Sequence, residues 1–326
     1  MNDIEKTLTE LALTMEGHRD VLARRGAAPD RPPMPRIDAR TALIARLLAR
    51  VDSDAGLRVD ATVEAKLQGV LASVDLIELE AWVNGLEALE GGHPQWLALI
   101  ENLTTNETYL FRDWEQLELL RTAGLAPLIA EARDGARPAL RLWSAGCASG
   151  EEAYSLAVLA LEALVDAGHA RETPTEVVLA APWTLDVLGT DISRRLLAQA
   201  RNGLYGTGSL SSFRAVPEPL LRFFPTTDPE SGRVTRRVRP DIGRHVRFAQ
   251  ANLMSRQAAA TEFDVVACRN VLVYFTPPAR LIVQAALEAA VRPGGFLLLG
   301  PTDARPDAQR FDAIWGARAV IYRRRP

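Results

Sequence analysis

Apolar residues recur at helical spacing through the first third of the chain. Between residues 37 and 100 they return every three or four positions, which is the period of an amphipathic helix, and one such face holds Leu43, Ile44, Leu47, Leu48 and Val51. We therefore predict a small all-helical domain over residues 37–100. Residues 1–36 precede it as an arm and a proline-rich linker, because four prolines cluster before Arg36.

The pattern changes near residue 138, where short apolar runs begin to alternate with longer helical segments. Such alternation is typical of a parallel sheet whose strands are joined by crossover helices. We predict an α/β domain over residues 101–326, with strands at 140–144, 184–190, 263–268, 296–299 and 319–323 and helices at 151–166, 193–202 and 277–291.

One stretch of this domain fits no crossover helix. Residues 207–247 are punctuated by proline and glycine and contain the arginine-rich run SGRVTRRVRPDIGRHVR. We interpret this range as an insertion with its own β-hairpin. Residues 168–182 are predicted to be a second, shorter insertion in the form of a loop.

Composition excludes several classes of protein. The 326 residues are 48% apolar, with a formal net charge of −3, which argues against a general nucleic-acid binder. No apolar run approaches the roughly 18 residues of a membrane span, and the acidic segment from Met1 to Asp20 does not resemble a secretory leader. We expect a cytoplasmic protein without membrane insertion. Two cysteines and four scattered histidines indicate neither a disulfide scaffold nor a metal site.

A glycine-containing turn follows the first predicted strand, in LRLWSAGCASGEE. Gly146 and Gly150 would let a ligand approach the backbone beside a helix N-terminus. Glu151 and Glu152 at the start of that helix would repel a phosphate, so they suit an ammonium or hydroxyl group better. The alternative is that both acidic residues only stabilise the helix N-terminus.

Asp191 follows the next predicted strand, in LDVLGTDIS. An acidic residue at this place in a doubly wound fold commonly accepts hydrogen bonds from ribose hydroxyls. Its separation of 45 residues from Gly146 exceeds the roughly 20 of the common dinucleotide pattern, and the insertion at 168–182 accounts for the excess. The alternative is that Asp191 is the N-cap of the following helix.

Two further segments carry polar groups at expected ligand positions. FDVVACRNVLVYF ends a strand with Arg269, Asn270 and Tyr274, in the crevice where such sheets bind ligands, although Tyr274 could equally be a core residue. TTNETYLFRD lies between the two predicted domains, in a natural cleft. There Asn106 and Thr108 could instead cap a helix, and Arg112 could be a surface charge.

Together these segments resemble the chemotaxis receptor methyltransferases, the CheR family. The resemblance rests on TTNETYLFRD, WSAGCASGEEAYS, GTDIS, AQANL, CRNVLVYF and VRPGGFLLLGPTD, which occur in the family's order between about Asn102 and Asp303. It implies a Rossmann-like methyltransferase sheet with a small antiparallel β insertion, preceded by a small all-α domain. The implied activity is S-adenosylmethionine-dependent O-methylation of glutamate side chains on a receptor's cytoplasmic helices, leaving S-adenosylhomocysteine.

The resemblance also implies a role for individual residues. Arg112 and Tyr274 would be the pair nearest the reaction. The residues implied to bind the cofactor are Asn106 and Thr108 in the cleft, Ala145, Gly146 and Glu151 around the methionine part, Asp191 at the ribose, Asn252 and Leu253 beside the adenine, and Asn270 and Val271 closing the site.

The chain departs from the family pattern at a few loop positions, and the partner is implied less directly. Ala153 stands where the family has a proline, and Pro301-Thr302-Asp303 stands where the family's last segment has a different ending. In the family the hairpin docks receptor tails, and here it carries a basic face: Arg233, Arg236, Arg237, Arg239, Arg244 and Arg247. The alternative is a solvated basic edge with no partner.

Two other functions remain open at this point. One is a module that binds S-adenosylmethionine as a sensor or scaffold without turnover, which would not need Arg112 and Tyr274. The other is a nicotinamide-dependent oxidoreductase, which is disfavoured because the chain lacks GxGxxG and any histidine beside a motif.

Overall fold

The computed structural model describes residues 36–59, 61–90, 92–103, 107–133, 138–208, 211–227, 234–255 and 262–326. Almost all of the predicted arm and linker, together with Asn106 and Arg233, lies outside these ranges. The chain divides into two compact units. The first reaches to Thr105 and includes Tyr274–Ala279, and the second holds Asn106–Val273 and Arg280–Pro326.

The first unit is helical, as the hydrophobic spacing predicts. Its helices are α1 (Arg36–Ala55), α2 (Ala61–Leu71), α3 (Leu76–Glu87) and α4 (Pro94–Leu103). Their apolar faces form a core in which Leu47, Val51, Leu79, Val83 and Trp96 are fully buried. Asp75 caps α3 by accepting a hydrogen bond from the Ile77 amide.

The second unit begins with two short helices and continues as alternating strands and helices. A π-helical turn, Leu120–Leu125, joins the first two helices, and 3₁₀ turns lie at Glu218–Phe223 and Leu272–Tyr274. The helices are α5 (Trp114–Leu119), α6 (Ala126–Arg133), α7 (Glu151–Asp166), α8 (Arg194–Asn202), α9 (Pro240–Gly243) and α10 (Pro277–Ala290), whose first residues, up to Ala279, group with the first unit. The strands are β1 (Ala139–Ala145), β2 (Ala170–Glu172), β3 (Val177–Leu179), β4 (Thr184–Asp191), β5 (Leu204–Gly206), β6 (Thr226–Thr227), β7 (Thr235–Arg237), β8 (Val246–Gln250), β9 (Phe263–Cys268), β10 (Val291–Leu299), β11 (Phe311–Trp315) and β12 (Val320–Arg324).

Seven strands form the main sheet, in the order β11-β12-β10-β9-β1-β4-β8. The five strands from β10 to β8 run parallel, and β12 is antiparallel to both β10 and β11. β9 is buried along its whole length, as expected for a central strand covered on both faces. The α/β fold with crossover helices is therefore confirmed, and β1 lies where the strand order reverses.

Local sequence explains the boundaries of the crossover helices. α7 is buried over most of its length because its residues are apolar nearly all round. α8 starts after Ser193, whose hydroxyl accepts a hydrogen bond from the Leu196 amide, and ends at Gly203, which adopts a left-handed φ of 60°. Both features match the predicted helix.

The structure differs from the sequence prediction at the edges of the fold. Residues 168–182 contain the antiparallel pair β2–β3 rather than a plain loop. The insertion contains a three-stranded sheet, β5-β7-β6, that begins at Leu204, whereas Val246 already belongs to the main sheet. The strand β8 is absent from the prediction because its VRFAQ alternation follows directly on an arginine-rich run. The strand β10 extends back to Val291 through a register shift around Pro293-Gly294-Gly295.

Two kinds of feature are absent from the described ranges. No helix in them is both long and apolar enough to cross a membrane. No three side chains from His, Cys, Asp and Glu come together there as a metal ion would require.

Gly295 is a point where the sheet tolerates no side chain. A Cβ at this position would lie 2.8 Å from the Asp264 carbonyl oxygen and 3.0 Å from the Arg292 carbonyl oxygen. Since both are main-chain atoms, Gly295→Ala should lower the free energy of unfolding by about 1–3 kcal/mol, as overpacking does. Urea denaturation measures this change. Gly206→Ala, with no atom within 4 Å of the added methyl, is the control, and equal loss in both variants would contradict the steric explanation.

Candidate functional site

Loops from four neighbouring parallel strands meet at one edge of the main sheet. Ala145 pairs with Thr190, and Asp191 pairs with Gln250, so β1, β4 and β8 end in register. β9 lies on the other side of β1. The loops that follow these strands carry Gly146, Asp191, Asn252 and Asn270. This is the edge at which doubly wound sheets bind ligands, so the structure brings these predicted residues together.

The turn after β1 is held tightly against β4. The amides of Gly146 and Cys147 both donate to the Thr190 carbonyl oxygen, at 2.8 and 2.9 Å. Gly146 has a φ of 78°, and a Cβ there would lie 2.7 Å from a methyl carbon of Val271. Only glycine tolerates both the left-handed backbone and the close approach of Val271. The predicted neighbours Ala145, Gly146 and Val271 are thus adjacent, with Ala145 fully buried.

The carboxylate of Asp191 organises this turn as well as its own loop. One oxygen accepts from the Ala148 amide at 2.8 Å, and the other accepts from the Ser193 amide at 2.9 Å. Ser193 rather than Asp191 is the N-cap of α8, so the alternative prediction for Asp191 is wrong. A carboxylate offers about four acceptor directions, so a single carboxylate can serve main-chain amides and a ligand hydroxyl together.

Glu151 is a buried carboxylate at the first position of α7. It accepts hydrogen bonds from the hydroxyls of Ser149, at 2.8 Å, and Ser212, at 2.7 Å. Burial raises the pKa of Glu151, while these two hydroxyls lower it. Hydroxyls solvate the charge without neutralising it, so the carboxylate suits a cationic ligand group. Ser212 comes from the insertion, and no motif in the sequence points to it.

Asn270 directly follows β9 and has an unusual conformation. Its φ is 60°, which is uncommon for a residue other than glycine, although asparagine tolerates it best. Its side-chain oxygen is buried and has no hydrogen-bond partner among the described residues. A buried unpaired acceptor is costly, so this atom fits a donor on a bound ligand.

Asn252 and Leu253 follow β8 at the same sheet edge. The Asn252 side-chain oxygen accepts from the Met254 amide at 2.9 Å and shapes the turn. Leu253 is 9% exposed. A shaped turn with an apolar side chain suits a flat aromatic ring, but these two residues keep their ligand role only as a prediction.

The segment that contains Thr108 and Arg112 precedes α5. Thr108 is half-buried, and the guanidinium of Arg112 donates to the Glu107 carbonyl oxygen at 2.7 Å. The guanidinium carbons of Arg112 and Arg214 lie 5.6 and 3.8 Å from the centroid of the Tyr109 ring. Arg112 is half-buried, and its own loop accepts a hydrogen bond from its guanidinium; its role near the reaction stays a prediction.

Tyr274 belongs to the helical unit. Its carbonyl oxygen accepts from the Arg58 amide at 2.7 Å, and the next residues continue this contact through the bridge between Leu57 and Phe275. The pairing of Tyr274 with Arg112 at the reaction therefore stays a prediction. No motif indicated that residues 274–279 would group with the helices.

Arg269, which the sequence places at a strand end, forms a buried charge cluster that no motif indicated. Its side chain is 1% exposed and lies beside Glu152 at 3.4 Å and Asp113 at 3.2 Å. It also donates to the side chain of Gln116 at 2.8 Å and to the carbonyl oxygen of Arg112. Burial raises the pKa of Glu152, and Arg269 is the largest influence that lowers it.

The residues at this edge fit S-adenosylmethionine, the cofactor that the resemblance implies. The Glu151 carboxylate fits an ammonium group, and the Asp191 carboxylate fits ribose hydroxyls. The Asn270 side-chain oxygen has no donor among the described residues, and a bound ligand could supply one. The arrangement binds and orients, and acid–base chemistry is not its evident purpose.

Comparisons with known proteins agree on one family. A family model described as CheR methyltransferase, SAM binding domain, matches residues 106–320. Chemotaxis protein methyltransferase 1 of Pseudomonas aeruginosa is 31% identical over 264 residues, which cover 80% of this chain and 88% of that protein. The chemotaxis protein methyltransferase of Vibrio parahaemolyticus is 32% identical over 228 residues (70% and 75%), and that of Escherichia coli is 30% identical over 235 residues (72% of each).

The raised pKa of Glu151 predicts a pH-dependent stability difference. Burial raises the pKa of Glu151 above the ordinary 4.5. As the pH rises from 4.5 through the pKa of the folded state, ionisation of Glu151 therefore lowers the free energy of unfolding. Glu151→Gln removes that loss. The variant should gain stability relative to wild type over this range, by at most about 1.4 kcal/mol per pH unit, and the difference should level off above it.

Denaturation at a series of pH values measures this difference. Ser212→Ala removes a hydroxyl that lowers the pKa of Glu151, so the loss should extend to higher pH in that variant. A difference between wild type and Glu151→Gln that does not change with pH would contradict the argument.

Proposed function

Because this chain belongs to the CheR family of S-adenosylmethionine-dependent methyltransferases, we propose that it methylates glutamate side chains on the cytoplasmic helices of chemoreceptors. The observation that carries the proposal is the set of loops after β1, β4 and β9, which bring a buried carboxylate, a second carboxylate and an unpaired amide oxygen to one sheet edge. A protein-glutamate O-methyltransferase of this kind gives glutamyl methyl esters, and its place of action would be the cytoplasm.

The cofactor would be held by residues at four strand ends. Glu151 would accept hydrogen bonds from its ammonium group, with Ala145 and Gly146 along its methionine part. Asp191 would accept from the ribose hydroxyls, and Asn252 and Leu253 would flank the adenine. When bound, the cofactor supplies a methyl group on a positively charged sulfur. Asn106 and Thr108 would contact the cofactor, and Asn270 and Val271 would close the site.

The substrate requires little chemical help from the protein. A glutamate side chain with an ordinary pKa near 4.3 is ionised at neutral pH, so its oxygen attacks the methyl group without a general base. The opposite charges of carboxylate and sulfonium cancel during transfer, so excluding water favours the step. What the protein must supply is alignment of the attacking oxygen with the methyl–sulfur bond.

Arg112 and Tyr274 are the residues we propose for this alignment. One guanidinium nitrogen of Arg112 donates a hydrogen bond to the Glu107 carbonyl oxygen. The other guanidinium nitrogens can orient a carboxylate. A tight two-point grip would weaken the nucleophile, so Arg112 positions rather than activates it. Tyr274 would orient the substrate or the methyl donor.

The receptor would dock on the insertion, but its arginines offer less free charge than their number indicates. Arg239 is buried in an ion pair with Asp241, and Arg247 pairs with Asp186. Arg236 and Arg237 donate to the carbonyl oxygens of Phe224 and Asn202. Recognition of a receptor segment by the insertion would therefore depend on shape and main-chain contacts as well as charge.

We expect this protein to form base-labile methyl esters on a receptor cytoplasmic fragment. Purified protein is incubated with the fragment and with S-adenosylmethionine labelled in its methyl group, and the volatile label released by base is counted. A fragment whose acceptor glutamates are changed to alanine is the control. Tight cofactor binding without ester on any receptor would contradict the proposal and favour a sensor without turnover.

Substitution of Arg112 should change the rate of methyl transfer, whereas substitution of Asp191 should change the affinity for the cofactor. Arg112→Ala should lower the transfer rate at least about 100-fold through lost alignment, with cofactor affinity within about tenfold. Asp191→Asn should weaken cofactor affinity about 10- to 100-fold through loss of a charged acceptor, with a small effect on turnover at saturating cofactor.

Calorimetry and initial rates separate these two effects. The controls are Arg121→Ala, an arginine paired with Glu118, and Asp186→Asn, which lies on the same strand as Asp191. A large loss of cofactor affinity in Arg112→Ala would move Arg112 into the cofactor pocket and overturn its proposed role.

A further inference from the structure

The segment around Arg112 has a conformation that its own sequence does not favour. Phe111 and Asp113, on either side of Arg112, have φ values of 55° and 50°. Left-handed backbone is disfavoured for residues with side chains, and most of all for a large one such as phenylalanine. Such a loop persists only where surrounding contacts hold it.

Those contacts come from three other parts of the second unit. The Leu110 amide donates to the Ser212 carbonyl oxygen at 2.9 Å. The Phe111 amide donates to the hydroxyl of Ser155, on α7, at 2.8 Å. The carbonyl oxygen of Arg112 itself accepts from the guanidinium of Arg269. These three contacts are made by elements outside the loop, whereas the Arg112 amide donates within it, to the Tyr109 carbonyl oxygen at 3.3 Å.

Arg269 is suited to hold a main-chain atom in place because each of its guanidinium nitrogens has an acceptor. Its Nε donates to Gln116 at 2.8 Å, and the amide nitrogen of Gln116 donates in turn to the Leu299 and Val320 carbonyl oxygens. Its two terminal nitrogens face Glu152 and Asp113. The planar fork is therefore fixed between helix α5, helix α7 and the ends of β9 and β10.

We propose that Arg269 is a positioning residue for methyl transfer, which acts by fixing the left-handed Phe111-Arg112-Asp113 loop and hence the direction of the Arg112 side chain. This inference rests on the proposed function of Arg112. Arg269 touches neither substrate nor cofactor in this role. Its guanidinium compensates Glu152 and Asp113 and at the same time couples the end of β9 to the loop.

The test compares Arg269→Lys with Arg292→Lys. Lysine keeps the charge at both positions but cannot reach several acceptors in a fixed fork. Arg292 is an arginine of the same unit that is also paired with two carboxylates, Asp264 and Glu131.

Arg269→Lys should lower kcat about 100-fold, the size expected of a misplaced catalytic group. The KM for S-adenosylmethionine and the affinity for S-adenosylhomocysteine should stay within about threefold. Arg292→Lys should keep its kcat.

A double variant shows whether Arg269 acts through Arg112. If it does, adding Arg269→Lys to Arg112→Ala should lower the rate no further, because the group being positioned is already gone. A purely structural role would lower the melting temperature and would give independent, multiplying losses of rate. Multiplying losses would overturn the proposal, as would an unchanged kcat in Arg269→Lys.

Hydrogen exchange tests the same inference without any activity. Amides of residues 107–113 should exchange faster in Arg269→Lys than in Arg292→Lys, whereas amides of residues 234–237 should not differ. Unchanged exchange over 107–113 overturns the proposal. If wild type forms no ester on any receptor, the proposed function fails, and the exchange result still decides whether Arg269 holds the loop.

A milder variant covers the case in which Arg269→Lys does not fold. Asp113→Asn keeps the buried arginine and a residue type that tolerates left-handed backbone, and it removes one charge that holds the guanidinium. It should lower kcat about tenfold in the same direction, with faster exchange over 107–113. An unchanged kcat and unchanged exchange would overturn the inference.

Discussion

Two consecutive acidic residues lie almost out of water at the start of α7, and the surroundings of each determine what it can do. Glu151 receives two serine hydroxyls, whereas Glu152 receives the hydroxyl of Ser144 and the charge of Arg269. A buried charge left unpaired costs several kcal/mol, so neither arrangement is incidental. Hydroxyls leave Glu151 with a net charge for a ligand cation, while the charge of Glu152 is balanced within the protein.

The parallel sheet converts this local arrangement into a site. Parallel strands end at a common edge, so residues far apart in sequence, such as Gly146, Asp191 and Asn270, come to neighbouring loops. The insertion contributes Ser212 to Glu151, and the loop before α5 is attached to the same helix through Ser155. A single element, α7, therefore connects the cofactor side of the site with the segment that carries Arg112.

The chemistry agrees with the types of residue found. Methylation of an ionised carboxylate needs alignment and exclusion of water rather than proton transfer, which is why the absence of histidine from the motifs is no obstacle. Two arginines of this region differ in their contacts: we propose that Arg112 orients a carboxylate, whereas the guanidinium of Arg269 is fully committed to protein acceptors. The positions of the two within the fold account for this difference.

Helical periodicity, the buried run of β9 and the glycine turn after β1 are local features, and the sequence alone was sufficient to predict the helices, the central strands and the family. It also indicated most of the loops that meet at the sheet edge, because motifs at strand ends share one edge in a parallel fold. It could not predict that Ser193 rather than Asp191 caps α8, that β8 joins the sheet, that Tyr274 groups with the helices, or that Ser212 and Arg269 complete the two carboxylate environments. Those outcomes depend on contacts between residues far apart in the chain, and burial in the folded chain decided which carboxylate is solvated by hydroxyls and which is balanced by an arginine.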